Sequence, residues 1–417
     1  MANDTITGTR GFLAAGVICG IKKSGKPDLA LLVCPAGAKA AAVFTTNKIV
    51  SAAVTVSKKH IKSPKICAVV VNSGNANTCT GQKGIRNAIT MCAKTAYFVK
   101  REAYLERHTK YERRETKEEG RNVLVASTGI IGKQLPIEKI TSGISKAAAK
   151  LSDSAQGGLD FAKAIMTTDT KPKQAVRRIE ISGTKITIAG TVKGAGMIAP
   201  NMATTLCFIT TDVAITKPLL SKALKAAIGN SLNKLTVDGH QSTNDTAIIL
   251  SSGLAGNRPI VSQCPRYKKF AGALADLCED LVKQMALGAE GATRMFKVVF
   301  KSAATKADAT RAARAVADYP LVKCAVNGGD PNWGRIICAV GSAGVKLNPN
   351  KLCCKLGNIT VFKNGKPAGF DRKKASKIVS QLEHTITVDL GAGRTSDFCY
   401  GCDLSKEYVA INADYHT

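Results

Sequence analysis

The chain has 417 residues, 45% of them hydrophobic, with 37 glycines, which excludes a disordered chain and allows two or three domains, or one large domain with a smaller partner. Its 60 Lys and Arg against 30 Asp and Glu give +30, yet the lysines are scattered and aromatics are only 5%, so no stacking platform for nucleic acid emerges. Met1 to Arg10 has no apolar signal core, and no stretch is apolar enough to span a membrane. The 14 cysteines show no compact framework, so a cytoplasmic protein with reduced, mostly buried thiols is expected.

Gly11 to Gly81 reads as β-rich, with strands predicted at Leu29 to Val33, Ala41 to Phe44, Ala53 to Val56 and Ile66 to Val71, separated by Gly, Pro, Ser and Lys turns. The loop Asn72-Ser73-Gly74-Asn75-Ala76-Asn77 either lines a pocket with amides or closes its own backbone turns. Arg86 to Val99 is predicted helical. Lys100 to Arg121 is a charge run in which Glu106 and Lys110, and Arg114 and Glu118, share a helix face, so a solvated helical extension is expected. Val123 to Gly129 is a strand running into a small-residue turn that can aim a backbone N–H and a hydroxyl at one point, as an oxyanion requires.

Helices are predicted at Ile137 to Leu151 and Gly158 to Met166, then a hairpin of Arg177 to Ser182 with Lys185 to Ile188 around Gly183-Thr184. This delivers the chain to Lys193-Gly194-Ala195-Gly196-Met197-Ile198-Ala199-Pro200-Asn201-Met202-Ala203-Thr204, followed by the apolar strand Leu206 to Thr211. A hydroxyl at the mouth of a core strand, behind a small turning segment, suits a nucleophile on a rigid element. The letters Gly194-x-Gly196-x-x-Ala199 nominally match a dinucleotide fingerprint, but that motif opens a helix at its glycines and Pro200-Asn201 argues against one. Without other context, the segment is a Gly-rich turn into a strand.

Further on, helices are predicted at Lys217 to Leu232, Tyr267 to Gly288, Ala303 to Ala317 and Lys373 to Leu382, a hairpin at Asn364-Gly365, and a strand at Thr385 to Leu390. Thr236 to Gly239 leads into Ser242-Thr243-Asn244-Asp245-Thr246. His240 has no zinc-site spacing around it, and no metal is expected. Glu290, taken alone, is a cap or a surface charge. Cys399-Tyr400-Gly401-Cys402 spells Cys-x-x-Cys without a thioredoxin-like context.

The segment Lys193 to Asp212 closely resembles the self-cleaving segment of the ornithine acetyltransferase family of arginine biosynthesis. The resemblance extends over nearly the whole chain through Gly11 to Gly16, Val43 to Asn47, Asn72 to Asn77, Val123 to Gly129, Ile165 to Thr170, Gly328 to Ile336 and Glu407 to Thr417. It implies autoproteolysis at Ala203-Thr204, leaving fragments 1–203 and 204–417, with Thr204 the nucleophile. Thr128 and Gly129 would form the oxyanion hole. Thr167 (or its neighbour Thr168), Lys193, Thr204, Glu290, Asn412 and Thr417 would bind substrate. The Gly328 to Ile336 block, with the single tryptophan, is expected to pack between domains and shape the pocket. The chain departs from the family in the longer connection at Lys100 to Arg121 and in having His240-Gln241 where Asp and Thr are usual, which makes His240 a poor candidate for a general base.

The resemblance further implies a layered α/β sandwich of mixed β-sheets with outer helices, plus a smaller C-terminal α/β lobe at roughly 290–417. The expected reaction moves acetyl from N2-acetylornithine to glutamate through an acetyl-Thr204 intermediate. No metal or redox cofactor is expected, and acetyl-CoA is a candidate second donor. A heterotetramer of two copies of each fragment is the implied assembly. A self-processing amidase or aminopeptidase, in which water replaces glutamate, and a basic nucleic-acid-binding protein are the alternatives.

Overall fold

A computed structural model of the chain describes residues 3–105, 119–199 and 205–414. Its first sheet starts with β1 (Leu13–Val17), antiparallel to the long β2 (Leu29–Phe44). Two strands were expected along β2, and the structure has one. Its pairing with the next strand slips between Val33 and Ala38, where Gly37 adopts φ +75, so the strand bends instead of ending. Side-chain alternation then feeds three cores: Leu29, Leu31 and Val33 enter one, Ala30 and Leu32 a second, and Ala41 and Val43 a third.

The segment expected as a strand at Ala53 to Val56 is instead the helix α1 (Ala52–His60). Ser51 caps it by accepting a hydrogen bond from the Val54 N–H, and Lys58, Lys59 and His60 face the negative end of its dipole. Those end signals outweigh the β preference of two valines. β3 (Ile66–Asn75), α2 (Gly81–Leu105) and β4 (Val123–Ile130) follow, with β3 and β4 parallel and joined through the helix. Residues Glu106, Lys110, Arg114 and Glu118 of the charged insertion lie outside the described residues. α3 (Ile137–Ala148) and α4 (Ala155–Ala164) lead to the hairpin of β5 (Lys173–Ile181) and β6 (Thr184–Lys193). Its turn is Ser182-Gly183, both at positive φ (+49 and +78), one residue earlier than expected.

β7 (Leu206–Thr211) is buried along its whole length, as expected, and lies between β6, antiparallel, and β9 (Thr246–Ser251), parallel. The crossover passes through α5 (Lys217–Gly229) and a short β8 (Leu235–Thr236). The strand order is β4-β3-β2-β9-β7-β6-β5, with β1 paired to β2. Because β2 bends, the two halves of this sheet face each other. Leu32, Val69 and Leu124 meet Phe208, Ile248 and Leu250 between them, and Phe161 stands edge-on to Phe208 at 5.4 Å. Each such fully buried side chain contributes about 1.5–3 kcal/mol. Met91, Cys92 and Ile140 cover one outer face, while Leu224 and Leu277, from α5 and α6 (Pro265–Leu287), cover the other. The result is a layered α/β sandwich with outer helices.

The C-terminal part begins with β10 (Met295–Ala303), α7 (Lys306–Asp318), α8 (Pro320–Asn327) and α9 (Trp333–Ser342). It continues with β11 (Cys353–Leu356), β12 (Ile359–Lys363), β13 (Lys366–Pro367), α10 (Arg372–Val379), β14 (Glu383–Asp389) and β15 (Thr395–Cys402). These strands form a second sheet, β13-β12-β11-β14-β10-β15-β8, around their own core. The final helix, α11 (Lys406–Asp414), has no buried residue. Cys399 and Cys402, three apart on β15, point to opposite faces and enter different cores, so they are not a redox pair.

Candidate functional site

The first sheet ends at a cavity of about 440 Å³. One wall is built on buried lysine. Lys193, the last residue of β6, is buried, and its Nζ donates to Thr128 Oγ1 at 3.3 Å. A hydroxyl that accepts from an ammonium keeps its own proton free to donate elsewhere. Burial pushes the Lys193 ammonium below its ordinary pKa and Lys173 adds to that, while Asp169, Asp245 and Glu290 oppose it. Asp169 anchors the wall: its Oδ1 accepts from Lys173 Nζ (2.5 Å) and the Gly194 N–H (2.9 Å), and its Oδ2 accepts from the Thr167 N–H (3.2 Å). Burial alone would raise the Asp169 pKa, but Lys193, Lys173 and these hydrogen bonds hold it at about 2. Lys22 secures the same corner by donating to the Met166 carbonyl at 2.7 Å.

Thr128 and Gly129 stand where β4 meets a bulge of β3, with Asn75 facing both Thr128 and Ile130. Gly129 adopts φ +129, and a Cβ there would lie 2.3 Å from the Gly74 carbonyl carbon. Only glycine fits. The asparagines of the neighbouring loop close backbone: Asn75 Nδ2 donates to the Lys133 and Gln134 carbonyls, and Asn77 Nδ2 to that of Gly84. Those bonds reach other segments, whereas Asn75 Oδ1 accepts from the Asn77 N–H and Asn72 Nδ2 donates to the Asn75 carbonyl, both at 2.8 Å, so the turn-closing reading of that loop holds for Asn72 and Asn75.

The opposite wall is acidic. Glu290 follows α6, its N–H donating to the Ala195 carbonyl at 3.0 Å, and its Oε2 accepts from Asn412 Nδ2 at 2.9 Å. Gly196 presses on it, since a Cβ there would lie 2.3 Å from Glu290 Oε2. Asp238 accepts from the N–H groups of Met197 (2.6 Å) and Ile198 (2.9 Å) and from the Tyr408 hydroxyl (3.2 Å). α11 is thus tied to two acids of the cavity. His240 also lines it, exposed, with Nδ1 3.5 Å from Asp238 Oδ1.

Of the residues singled out in the sequence, Thr128, Gly129, Thr167, Lys193, Glu290 and Asn412 all line this one cavity, although up to 284 positions separate them. Thr168 lines it too, so the choice between the two threonines stays open. Ala203, Thr204 and Thr417 lie outside the described residues. Thr205, the covalent neighbour of Thr204, lines the cavity and donates its hydroxyl to the Lys193 carbonyl. No helix opens at Gly194 to Ala199, which removes the basis for a dinucleotide site. Trp333 does not line the cavity. It packs within the C-terminal core, 5.3 Å from Phe362, and Asp330 and Asn332 border a separate small cavity there. The block expected between domains therefore serves the C-terminal lobe.

Sequence reasoning missed Asn244 and Asp245, although it singled out their polar run ahead of an apolar strand. Asn244 Nδ2 donates to the carbonyls of Ala76 (2.6 Å) and Ser127 (2.7 Å), and its Oδ1 accepts from Thr78 (2.8 Å) and Thr243 (2.5 Å), fastening β4 to β9 behind the cavity. Among the described residues no group of three or more His, Cys, Asp or Glu is arranged to hold a metal ion. No helix among them is long and apolar enough to cross a membrane.

Residues 13–417 match the model of the ArgJ family. The chain is 43% identical over 414 residues to the arginine biosynthesis bifunctional protein ArgJ of Symbiobacterium thermophilum, covering 99% of this chain and 98% of that protein. It is 41% identical over 419 residues to the protein of the same name from Bacillus cereus, covering 100% and 98%. Among solved structures it resembles the ArgJ protein of Bacillus halodurans, at 39% identity and a TM-score of 0.48 over 50% of this chain and 98% of that one. With the match spanning the sandwich, the cavity and the C-terminal lobe, the chain belongs to the ArgJ family.

Proposed function

We propose that the chain cleaves itself between Ala203 and Thr204 and then transfers acetyl from N2-acetylornithine to glutamate, as a glutamate N-acetyltransferase of arginine biosynthesis. The observation that carries this reading is the convergence of Thr128, Gly129, Lys193 and Glu290 on the cavity lined by Thr205, in a chain of the ArgJ family. In the first step the Thr204 hydroxyl attacks the Ala203 carbonyl and the acyl chain shifts from nitrogen to oxygen. Water then hydrolyses the ester, leaving a carboxylate on Ala203 and a free amine on Thr204. β6 and β7 are hydrogen-bonded from Lys193↔Leu206 to Ile188↔Thr211, and β2 pairs with β9, so the two fragments stay in one sheet.

An α-amine titrates near ~8, which suits it as the base for its own hydroxyl. The Thr204 hydroxyl attacks the acetyl group, Thr128 and Gly129 donate to the oxyanion, and ornithine leaves with a proton. Glutamate enters, its amine attacks the acetyl ester, and N-acetylglutamate departs. Lys193 pairs with a substrate carboxylate, and Glu290 with the ammonium of the ornithine side chain. Thr167, Asn412 and Thr417 complete the substrate site. No metal or redox cofactor enters these steps. The relatives' name, bifunctional, makes acetyl-CoA the second donor to try. A cytoplasmic heterotetramer, two copies of each fragment, is the assembly we propose.

The test combines intact mass with an acetyl-transfer assay. Fragments beginning at Met1 and Thr204, and ornithine release that depends on glutamate, are expected. Fast release without glutamate, yielding acetate, would instead make the protein an amidase.

A further inference from the structure

The cavity holds one buried acid that the steps above leave unused. Asp245 lines it and is 2% exposed, and its Oδ2 is buried without a hydrogen-bond partner among the described residues. A buried carboxyl oxygen left unpaired is costly, so its persistence asks for a reason. Burial pushes the Asp245 pKa well up, although Ser242 and Thr45 hydrogen-bond the carboxyl and Lys193 acts on it from β6. Lys193 faces it from β6, and Glu290, Asp238 and His240 line the same cavity.

Strand pairing shows what lies beside it. β9 runs parallel to β7 with Leu206 opposite Thr246, and the Thr246 N–H donates to the Thr205 carbonyl at 2.8 Å. Asp245 therefore sits next to Thr205 in the ladder. The residue covalently bonded to Thr205 is Thr204. Before cleavage the nitrogen of Thr204 is an uncharged amide. After cleavage it is an amine that can carry a positive charge.

We propose that Asp245 is a positioning residue that receives the α-amino group created at Thr204, so that its orphan oxygen is a seat for a partner that cleavage has yet to make. This rests on the cleavage reading above. In the mature protein the carboxylate and the ammonium pair, which orients the amine towards its own hydroxyl and raises its affinity for protons. The effect opposes that of Lys193, whose charge lowers the affinity of the same amine.

The test is Asp245→Asn, which keeps the shape and removes the charge. Mass should show that the variant still splits into two fragments. The acid limb of its transferase pH profile should move down by about one unit, because an opposite charge nearby raises an amine's pKa by that order. Asp245→Glu should return the limb towards its original place. For a variant that fails to mature, competitive acetylation of the Thr204 amine in the wild-type protein gives the same answer: its pKa should lie above the ~7.7–8.0 of an ordinary α-amine. A cleaved variant with an unmoved limb, or an ordinary amine in the wild type, overturns this inference alone. A wild-type chain that never cleaves removes the cleavage reading, and this inference with it.

Discussion

Asn412 on the last helix donates its amide to Glu290 Oε2 at 2.9 Å, across 122 positions of sequence. Gly196, which has no side chain, is what leaves the Glu290 carboxylate room to be there. Gly196→Ala would put a Cβ 2.3 Å from Glu290 Oε2, and the carboxylate, as the far end of a flexible side chain, would swing away. Folding should survive. We expect KM for N2-acetylornithine to rise about tenfold, the worth of one charged contact, with a smaller change in kcat. An unchanged KM would mean that Glu290 does not touch the donor.

Thr128 tests the oxyanion assignment. Thr128→Val keeps the β-branched shape at the end of β4 and removes only the hydroxyl. Loss of one such donor should lower kcat about 100- to 1000-fold and alter KM much less, since the donor acts on charge that develops after binding. The proposed self-cleavage is a single slow turnover and should still reach completion during expression. A variant working at near wild-type rate would reduce Thr128 to a strand-end residue.

Asp169 and Lys173 form an ion pair with side chains 0% and 1% exposed. Asp169→Asn leaves Lys173 charged and buried without its counter-ion, which should cost about 3–5 kcal/mol in chemical denaturation. The pair also sets a pH dependence. The Asp169 pKa is depressed to about 2, so its contribution is complete above the unfolded value of 3.8 and is lost as pH falls from there through 2. The variant should lack this part of the acid destabilisation.

His384 gives a second pH signature, in the C-terminal lobe. Both ring nitrogens are buried without partners among the described residues, and the ring stacks on Phe296 at 5.9 Å. Burial, helped by Arg294, lowers its pKa from 6.5 to about 4. The unfolded chain takes up a proton at the higher value while the folded lobe refuses it, so stability falls as pH drops from 6.5 to 4 and then levels off. The loss should amount to ~3 kcal/mol. His384→Phe should flatten the slope and raise Tm at pH 5. An equally steep slope in the variant would place the acid sensitivity elsewhere.

What the sequence by itself determined is local or comes from the family motif. β7, β4 and the helices of the outer layers announce themselves by apolar runs, periodicity and end signals, and the Lys193 to Asp212 segment shows its family in its letters. Those signals act between near neighbours in the chain, so they survive in one dimension. Where two local signals conflict, as in the valines behind the Ser51 cap, the end signal wins, and the turn residues around Gly37 bend β2 without ending it. Only the tertiary structure decided which polar residues share a cavity. Asn244 became a clamp because two carbonyls from distant strands lie within reach, and Asp245 became an orphan acid because β9 pairs beside β7. Trp333 went to the C-terminal core because Phe362 stands there. Burial, pairing and pKa are properties of neighbours in space, and those neighbours exist only once the strands have chosen their order.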